Sequence, residues 1–198
     1  ENAASNHGTL RVNSTPIVIR SLTGVFPHNF RDLTLVSGTI GDYAALVVPA
    51  NSDIKSMGDL VSAYKANPSG VAIGGGSVPG GMDHLVAAMV MQAAGADPTE
   101  VKYVAYDAGG KAMAALLSGE IKALSTGFSE AVAMAKAGEA NIIGVTSNDR
   151  VGAFPDAKTM KEQGIDTYFV NWRGFFGAPG LPQDKLDAYQ AAIAKMYN

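Results

Sequence analysis

The sequence predicts an α/β protein with mainly parallel sheets and helices packed on both faces. Three observations predict it. Short β-rich apolar runs alternate with helical patterns, strand then helix, through most of the chain. Several of the runs end in a small turn rich in glycine or hydroxyl residues that leads into a helix start. No internal repeat, low-complexity tract or apolar run near the roughly 20 residues of a membrane span competes with that pattern.

The elements follow in order. Thr9 to Asn13 reads as a strand, followed by an irregular stretch through Phe26, Pro27 and Phe30 and a strand over Thr34 to Ile40. Ala44 to Val48 is a strand. A helix from about Asp59 to Ala66 follows, with Ser56 as its cap and Asp59 three residues on. Val71 to Ile73 is a short buried strand. The next helix spans about Met82 to Ala94, with Leu85, Ala88, Met89 and Gln92 at i, i+3, i+4 and i+7, only the last of them polar. Val101 to Ala105 is a strand, and Gly110 to Ser118 a helix presenting Met113, Leu116 and Leu117. Ile121 to Ser125 is a strand, and Ser129 to Ala137 a helix stopped by Gly138. Asn141 to Thr146 is a strand and Lys158 to Gln163 a short helix stopped by Gly164. Tyr168 to Trp172 and Gly174 to Ala178 are extended. Pro182 opens a last helix with Leu186, Tyr189, Ile193 and Tyr197 on one face.

Composition narrows the function. The 198 residues are 47% hydrophobic and 17% charged, which excludes a disordered chain. A net charge of −3 without a basic block argues against nucleic acid as a partner. The absence of cysteine gives weak support to an extracytoplasmic protein. The chain starts at Glu1 with neither methionine nor signal peptide, which reads as a processed or trimmed start.

In open α/β sheets, ligands bind beyond the carboxyl ends of the strands. Four turns qualify there: Ser14-Thr15-Pro16, Gly74 to His84, Tyr106 to Lys111, and Thr126 to Glu130. Their chemistry is anion capture. The first amides of a helix lack partners, the helix dipole adds partial positive charge, and glycine lets the backbone come close. Bland readings stand beside this one. Gly74 to Gly81 also serves as a plain strand-to-helix turn. Tyr106 and Trp172 serve equally as packing residues, and His84 as a structural histidine. Asp83, Asp107 and Glu130 near helix starts also suit the dipole. The glycine turn has no Gly-Lys-Ser/Thr of a phosphate loop and no dinucleotide phasing. His7, His28 and His84 have no metal spacing, and no Gly-x-Ser-x-Gly elbow is present. No cofactor, metal or catalytic residue is therefore expected.

The order of three segments resembles a known family: Gly74-Gly75-Gly76-Ser77-Val78-Pro79-Gly80-Gly81-Met82-Asp83-His84, then Val104 to Ile121, then Ile142 to Ser147. Phe154 to Gly164 and Asn171 to Gly180 continue the likeness. The chain resembles the Bug-type receptors, the extracytoplasmic solute-binding proteins of tripartite tricarboxylate transporters. The likeness runs over roughly residues 9 to 198. It implies the two-lobed type II periplasmic binding fold, with ligand held in a cleft by amides, small hydroxyls and waters. The lobes would be 1–45 with 170–198, and 46–169, joined by hinge-like crossings near Ala44 to Val48 and Tyr168 to Gly174. It also implies that this chain lacks the family's first strand and glycine-rich loop, leaving the first lobe incomplete, and ends short.

The function expected is capture of a small carboxylate in the periplasm by a monomer, for delivery to membrane permease subunits. Its expected ligand contacts are Ser14, Thr15, Ser77, Gly80, Gly81, Met82, His84, Tyr106, Asp107, Gly109, Gly127, Phe128 and Trp172. Among them Gly81 and Ser77 are expected to outweigh Lys111, which would steer the ligand more than hold it. Two rivals remain: a serine-dependent α/β hydrolase or transferase using Ser77 or Ser129, and the ligand-sensing domain of a regulator.

Overall fold

A computed structural model describes residues 3–25 and 28–197 of the chain. Phe26 and Pro27, which the sequence places in an irregular stretch, lie outside the described residues. The chain forms two compact units, Asp42–Val170 and Glu1–Gly41 with Asn171–Asn198.

The Asp42–Val170 unit is a sheet sandwiched between helix pairs. Its strands are the second half of β2 (Thr34–Pro49), β3 (Ile73–Gly75), β4 (Tyr103–Ala105), β5 (Ala123–Gly127) and β6 (Ala140–Val145). β3 pairs in parallel with both β4 and β5, while β2 pairs antiparallel with β5 and β6. Four of the five strands therefore run one way and β2 runs against them.

β2 shows how the sequence makes two cores. Side chains alternate across a strand. Ala44, Leu46 and Val48 enter one cluster, with Met57, Leu60 and Tyr64 of α2 (Met57–Ala66) and Val86, Ala87, Val90 and Met91 of α3 (Met82–Ala93). Ala45 and Val47 enter the other, with Ala112, Ala115 and Leu116 of α4 (Gly109–Leu117) and Phe128, Ala131, Val132 and Met134 of α5 (Phe128–Lys136). Apolar residues on both faces of a strand give a continuous hydrophobic run rather than an alternating one.

Local signals set the element ends. The Ser56 hydroxyl accepts from the Asp59 amide, and the Asp59 carboxylate accepts from the Lys55 amide and the Ser56 hydroxyl. This clamp on the first turn of α2 holds the Asp59 carboxyl below the usual range, chiefly through the Lys55 amide. Gly138 and Gly164 adopt the left-handed backbone that the sequence requires of them, at φ 73° and 78°. The helix expected over Lys158 to Gln163 is only a 3₁₀ turn at Lys161–Gln163. Thr159 and Glu162 close that turn through reciprocal bonds, amide to carboxylate and amide to hydroxyl.

One face is corrected. The inner stripe of α3 is Asp83, Val86, Ala87, Val90 and Met91, whereas Leu85 and Met89 are exposed. α3 has apolar residues on more than one side, so periodicity alone does not choose between stripes. The sheet does so by burying the stripe that meets Ile73 and Ala123. Leu117 of α4 is likewise exposed, and Ala112 and Ala115 flank Leu116 inside.

The other unit is smaller. β1 (Arg11–Ser14) pairs antiparallel with β7 (Val170–Gly177), which lies beside β2. The strands expected over Thr34 to Ile40 and Ala44 to Val48 are thus one strand, because neither Gly38 nor Gly41 interrupts the ladder. The extended runs on either side of Arg173 are also one strand. α1 (Thr15–Leu22) fills much of the stretch read as irregular, and none of its residues is buried. In α6 (Gln183–Ala194), Ile193 packs with Val36 and Leu181, and Leu186 and Tyr189 border them, while Tyr197 is exposed. The Tyr189 hydroxyl donates to the His7 carbonyl and the Gln190 amide group to the Val36 carbonyl, both at 3.0 Å.

Candidate functional site

The carboxyl ends of β3, β4 and β5 carry three turns into α3, α4 and α5. The first two touch through backbone. A Cβ on Gly76 would lie 2.7 Å from the Gly109 amide nitrogen and 3.1 Å from the Ala108 carbonyl carbon. A Cβ on Gly109 would lie 3.0 Å from a Glu130 carboxylate oxygen of α5. Glycine at these positions is what lets the three turns meet.

The turn into α3 is locked by its own side chains. The Ser77 amide donates to the Asp83 carboxylate and the Asp83 amide donates to the Ser77 hydroxyl, each at 3.0 Å. The Tyr103 hydroxyl, from β4, donates to the Ser77 carbonyl at 2.8 Å and lies 3.3 Å from the Ser77 hydroxyl. Gly80, at φ 76°, makes the left-handed bend. Its amide donates to His84 Nδ1 at 2.9 Å, and the Gly81 amide donates to the Val78 carbonyl at 2.8 Å. The Gly80 and Gly81 amides, expected as ligand donors, are therefore engaged within the turn. Among the described residues no acceptor within the chain meets the amides of Met82, Gly109 or Gly110.

Carboxylates of the chain sit at this edge as well. Asp42, at the start of the antiparallel stretch of β2, caps α5. It accepts from the Ser129 amide at 3.2 Å and the Ser129 hydroxyl at 2.7 Å. Glu130 accepts from the Thr126 hydroxyl at 2.6 Å. Asp83 is buried, and burial raises its carboxyl above the usual range against the lowering effect of the Ser77 bonds, with nearby Glu130 adding to the rise. Burial also raises the Tyr103 phenol.

A pH dependence follows. A carboxyl with a raised folded-state pKa contributes stability that is fully present below the unfolded value of 3.8 and is lost as pH rises through the folded value. Asp83→Asn keeps an acceptor for the Ser77 amide and removes the titration. The stability difference between variant and parent is expected to shift in favour of the variant between pH 3.5 and pH 7. Urea unfolding at both pH values checks this, and a pH-independent difference counts against it.

The remaining expected contacts are placed as follows. The Tyr106 hydroxyl donates to Glu120, ahead of β5 and away from the turns, at 2.8 Å. Burial and then this bond push its phenol up to about 12. Asp107 is exposed and pairs with Lys111 at 2.6 Å. Gly127 is the N-cap of α5, and the Phe128 side chain is buried in the core, leaving only its backbone to the edge. In the smaller unit, Ser14 caps α1 without a side-chain bond and borders a cavity of about 1000 Å³ beside Arg11, Pro16 and Arg20. The Thr15 hydroxyl is buried without a partner among the described residues. Trp172, on β7, lies against Phe176 with ring centres 6.0 Å apart.

Sequence reasoning passed over Tyr103 and Asp42, and named Thr126 only as the first residue of a candidate turn. Of the first two, Tyr103 left a signal there, as a polar-tipped residue within a strand. Neither Ser77 nor Ser129 is bonded to a histidine among the described residues, since Ser129 is held by Asp42 and Ser77 by Asp83 and Tyr103. No group of three or more metal-ligating side chains occurs among the described residues.

This fold and edge define the class: the chain has the α/β fold of periplasmic solute-binding proteins. It matches a TctC solute-binding protein from Polaromonas with a TM-score of 0.79 at 24% identity, over 98% of this chain and 67% of that one. It matches MatC from Rhodopseudomonas palustris, solved with bound malate, with a TM-score of 0.82 at 18% identity, over 98% of this chain and 66% of that one. A further R. palustris protein, solved with adipate, matches with a TM-score of 0.81 at 18% identity, over 94% and 62%. The model of the tripartite tricarboxylate transporter family receptor matches residues 4–198, and the chain belongs to that family. A UPF0065 protein encoded between tcbD and tcbE in Pseudomonas sp. strain P51 is 27% identical over 98% of this chain. A UPF0065 protein of Bordetella pertussis is also 27% identical, over 89% of it. The chain spans 57% and 56% of the length of these two relatives.

Proposed function

We propose that the protein containing this chain is a periplasmic receptor that captures a small carboxylate and delivers it to the membrane permease of a tripartite tricarboxylate transporter. The family match over residues 4–198 carries the reading. The malate and adipate bound to two proteins of like fold support the ligand class. In the larger unit the proposed donors are the Met82, Gly109 and Gly110 amides, beside the Ser77–His84 turn and Gly127. Helix-terminal amides of this kind hold a carboxylate without requiring an arginine. Tyr106 and Phe128 are proposed to contribute backbone, and Asp107 to hold Lys111 in place. Ser14, Thr15 and Trp172 are proposed contacts of the smaller unit. The crossings at β2 and β7 are proposed as the hinge, and the protein is proposed to act without chemical turnover, as a monomer.

A thermal-shift panel on the protein at its full encoded length tests this. Di- and tricarboxylates such as malate, adipate and citrate are expected to raise the midpoint, and sugars and nucleotides to leave it unmoved. A ligand at 100 times its Kd adds about 2.7 kcal/mol to stability. A panel in which only neutral sugars stabilise the protein would overturn the proposal.

A further inference from the structure

His84 fastens the turn that opens α3. It is the third residue of that helix, and its Nδ1 accepts the Gly80 amide proton at 2.9 Å. That bond assigns the neutral tautomer with its proton on Nε2. The ring is also held by its face, stacked on Tyr103 with centres 4.7 Å apart and planes 12° from parallel. Tyr103 in turn donates to the Ser77 carbonyl, and Ser77 exchanges bonds with Asp83. His84 therefore closes a ring of contacts around residues 77–84, and Gly80 is its left-handed bend.

We propose that protonation of His84 releases this turn. A proton on Nδ1 removes the lone pair that takes the Gly80 N–H and sets two donors against each other. The consequence for the bond does not depend on where the histidine titrates. The titratable groups packed about the turn are Tyr103 on β4, Asp83 on α3 and, acting on Asp83, Glu130 on α5. The bond itself fixes the direction of the effect: neutral His84 holds Gly80, and protonated His84 does not. The latch stands on the geometry alone. Only its meaning, weaker capture in acid by a turn that borders the donors, rests on the proposed receptor.

The test needs no ligand. In the full-length protein, nuclear magnetic resonance follows the His84 ring and the Gly80 amide from pH 5 to 8, where histidines change charge. The Gly80 amide shift is expected to move with the titration of the His84 ring. Its exchange with water, corrected for intrinsic pH dependence, is expected to quicken about 2- to 12-fold on protonation, the loss of one ordinary hydrogen bond. His84→Asn keeps an acceptor that does not titrate, and its Gly80 amide is expected to lose the inflection. A Gly80 response without inflection in the parent, or the same inflection in His84→Asn, overturns the latch. Either result leaves the carboxylate panel unaffected, so the two readings fail separately.

Discussion

Leu46→Ala is expected to lower the unfolding free energy by about 2–5 kcal/mol, the range for truncating a fully buried leucine. Leu46 has no exposed surface and sits on β2 between Ser125 of β5 and Gly144 of β6. Its cluster includes Met57 and Met160, which already crowd the bare face of Gly144, with Met160 Sδ at 2.5 Å from where a Cβ would stand. A strand flanked on both sides and covered on both faces has little freedom to collapse into the space. Leu35→Ala is the control. It lies on the same strand but is 56% exposed, and its cost is expected to stay within about 0.5 kcal/mol. Urea unfolding followed by far-UV circular dichroism measures both, and equal costs would count against the core assignment.

Gly76→Val is expected to cost about 1–3 kcal/mol and to part the turns that open α3 and α4. The neighbours of the new Cβ are backbone, the Gly109 nitrogen and the Ala108 carbonyl carbon, so no rotamer change relieves the contact. If the Met82, Gly109 and Gly110 amides hold the ligand together, separating them lowers affinity by roughly 5- to 150-fold for the same free energy. Gly110→Ala is the control for stability. Its Cβ would meet nothing within 4 Å, and alanine in a helix is favoured over glycine by about 0.5–1 kcal/mol. Chemical denaturation and calorimetry with a carboxylate from the panel read the two effects. Unchanged stability in Gly76→Val would show that the turns do not pack against each other as described.

The candidate site was legible in outline. The glycine and hydroxyl turns after β3, β4 and β5 are visible as sequence, and they do gather at one edge of one unit. How their donors are used was not. Gly80 and Gly81 read as open amides, yet His84 and Val78 take them. Tyr106 reads as a site residue, yet its hydroxyl is turned to Glu120, while Tyr103, three residues earlier, reaches Ser77. Strand residues of odd separation point to opposite faces of a sheet, and the sequence does not say which face covers the turn.

By itself the sequence determined what depends on neighbours along the chain. The Ser56–Asp59 cap, the left-handed stops at Gly138 and Gly164, and the succession of strands and helices are all local, set by turn chemistry and periodicity. The tertiary structure decided whatever required a distant partner. It joined two expected strands into β2. It buried Val86 and Val90 in place of Leu85 and Met89, because the sheet selects the stripe. It brought Asp42 to Ser129, 87 residues away, to cap α5 with a carboxylate of the chain itself. An amphipathic pattern records that a face is apolar, and a carboxylate records only its charge. Which face is covered, and which helix end that charge meets, are fixed only when the strands align.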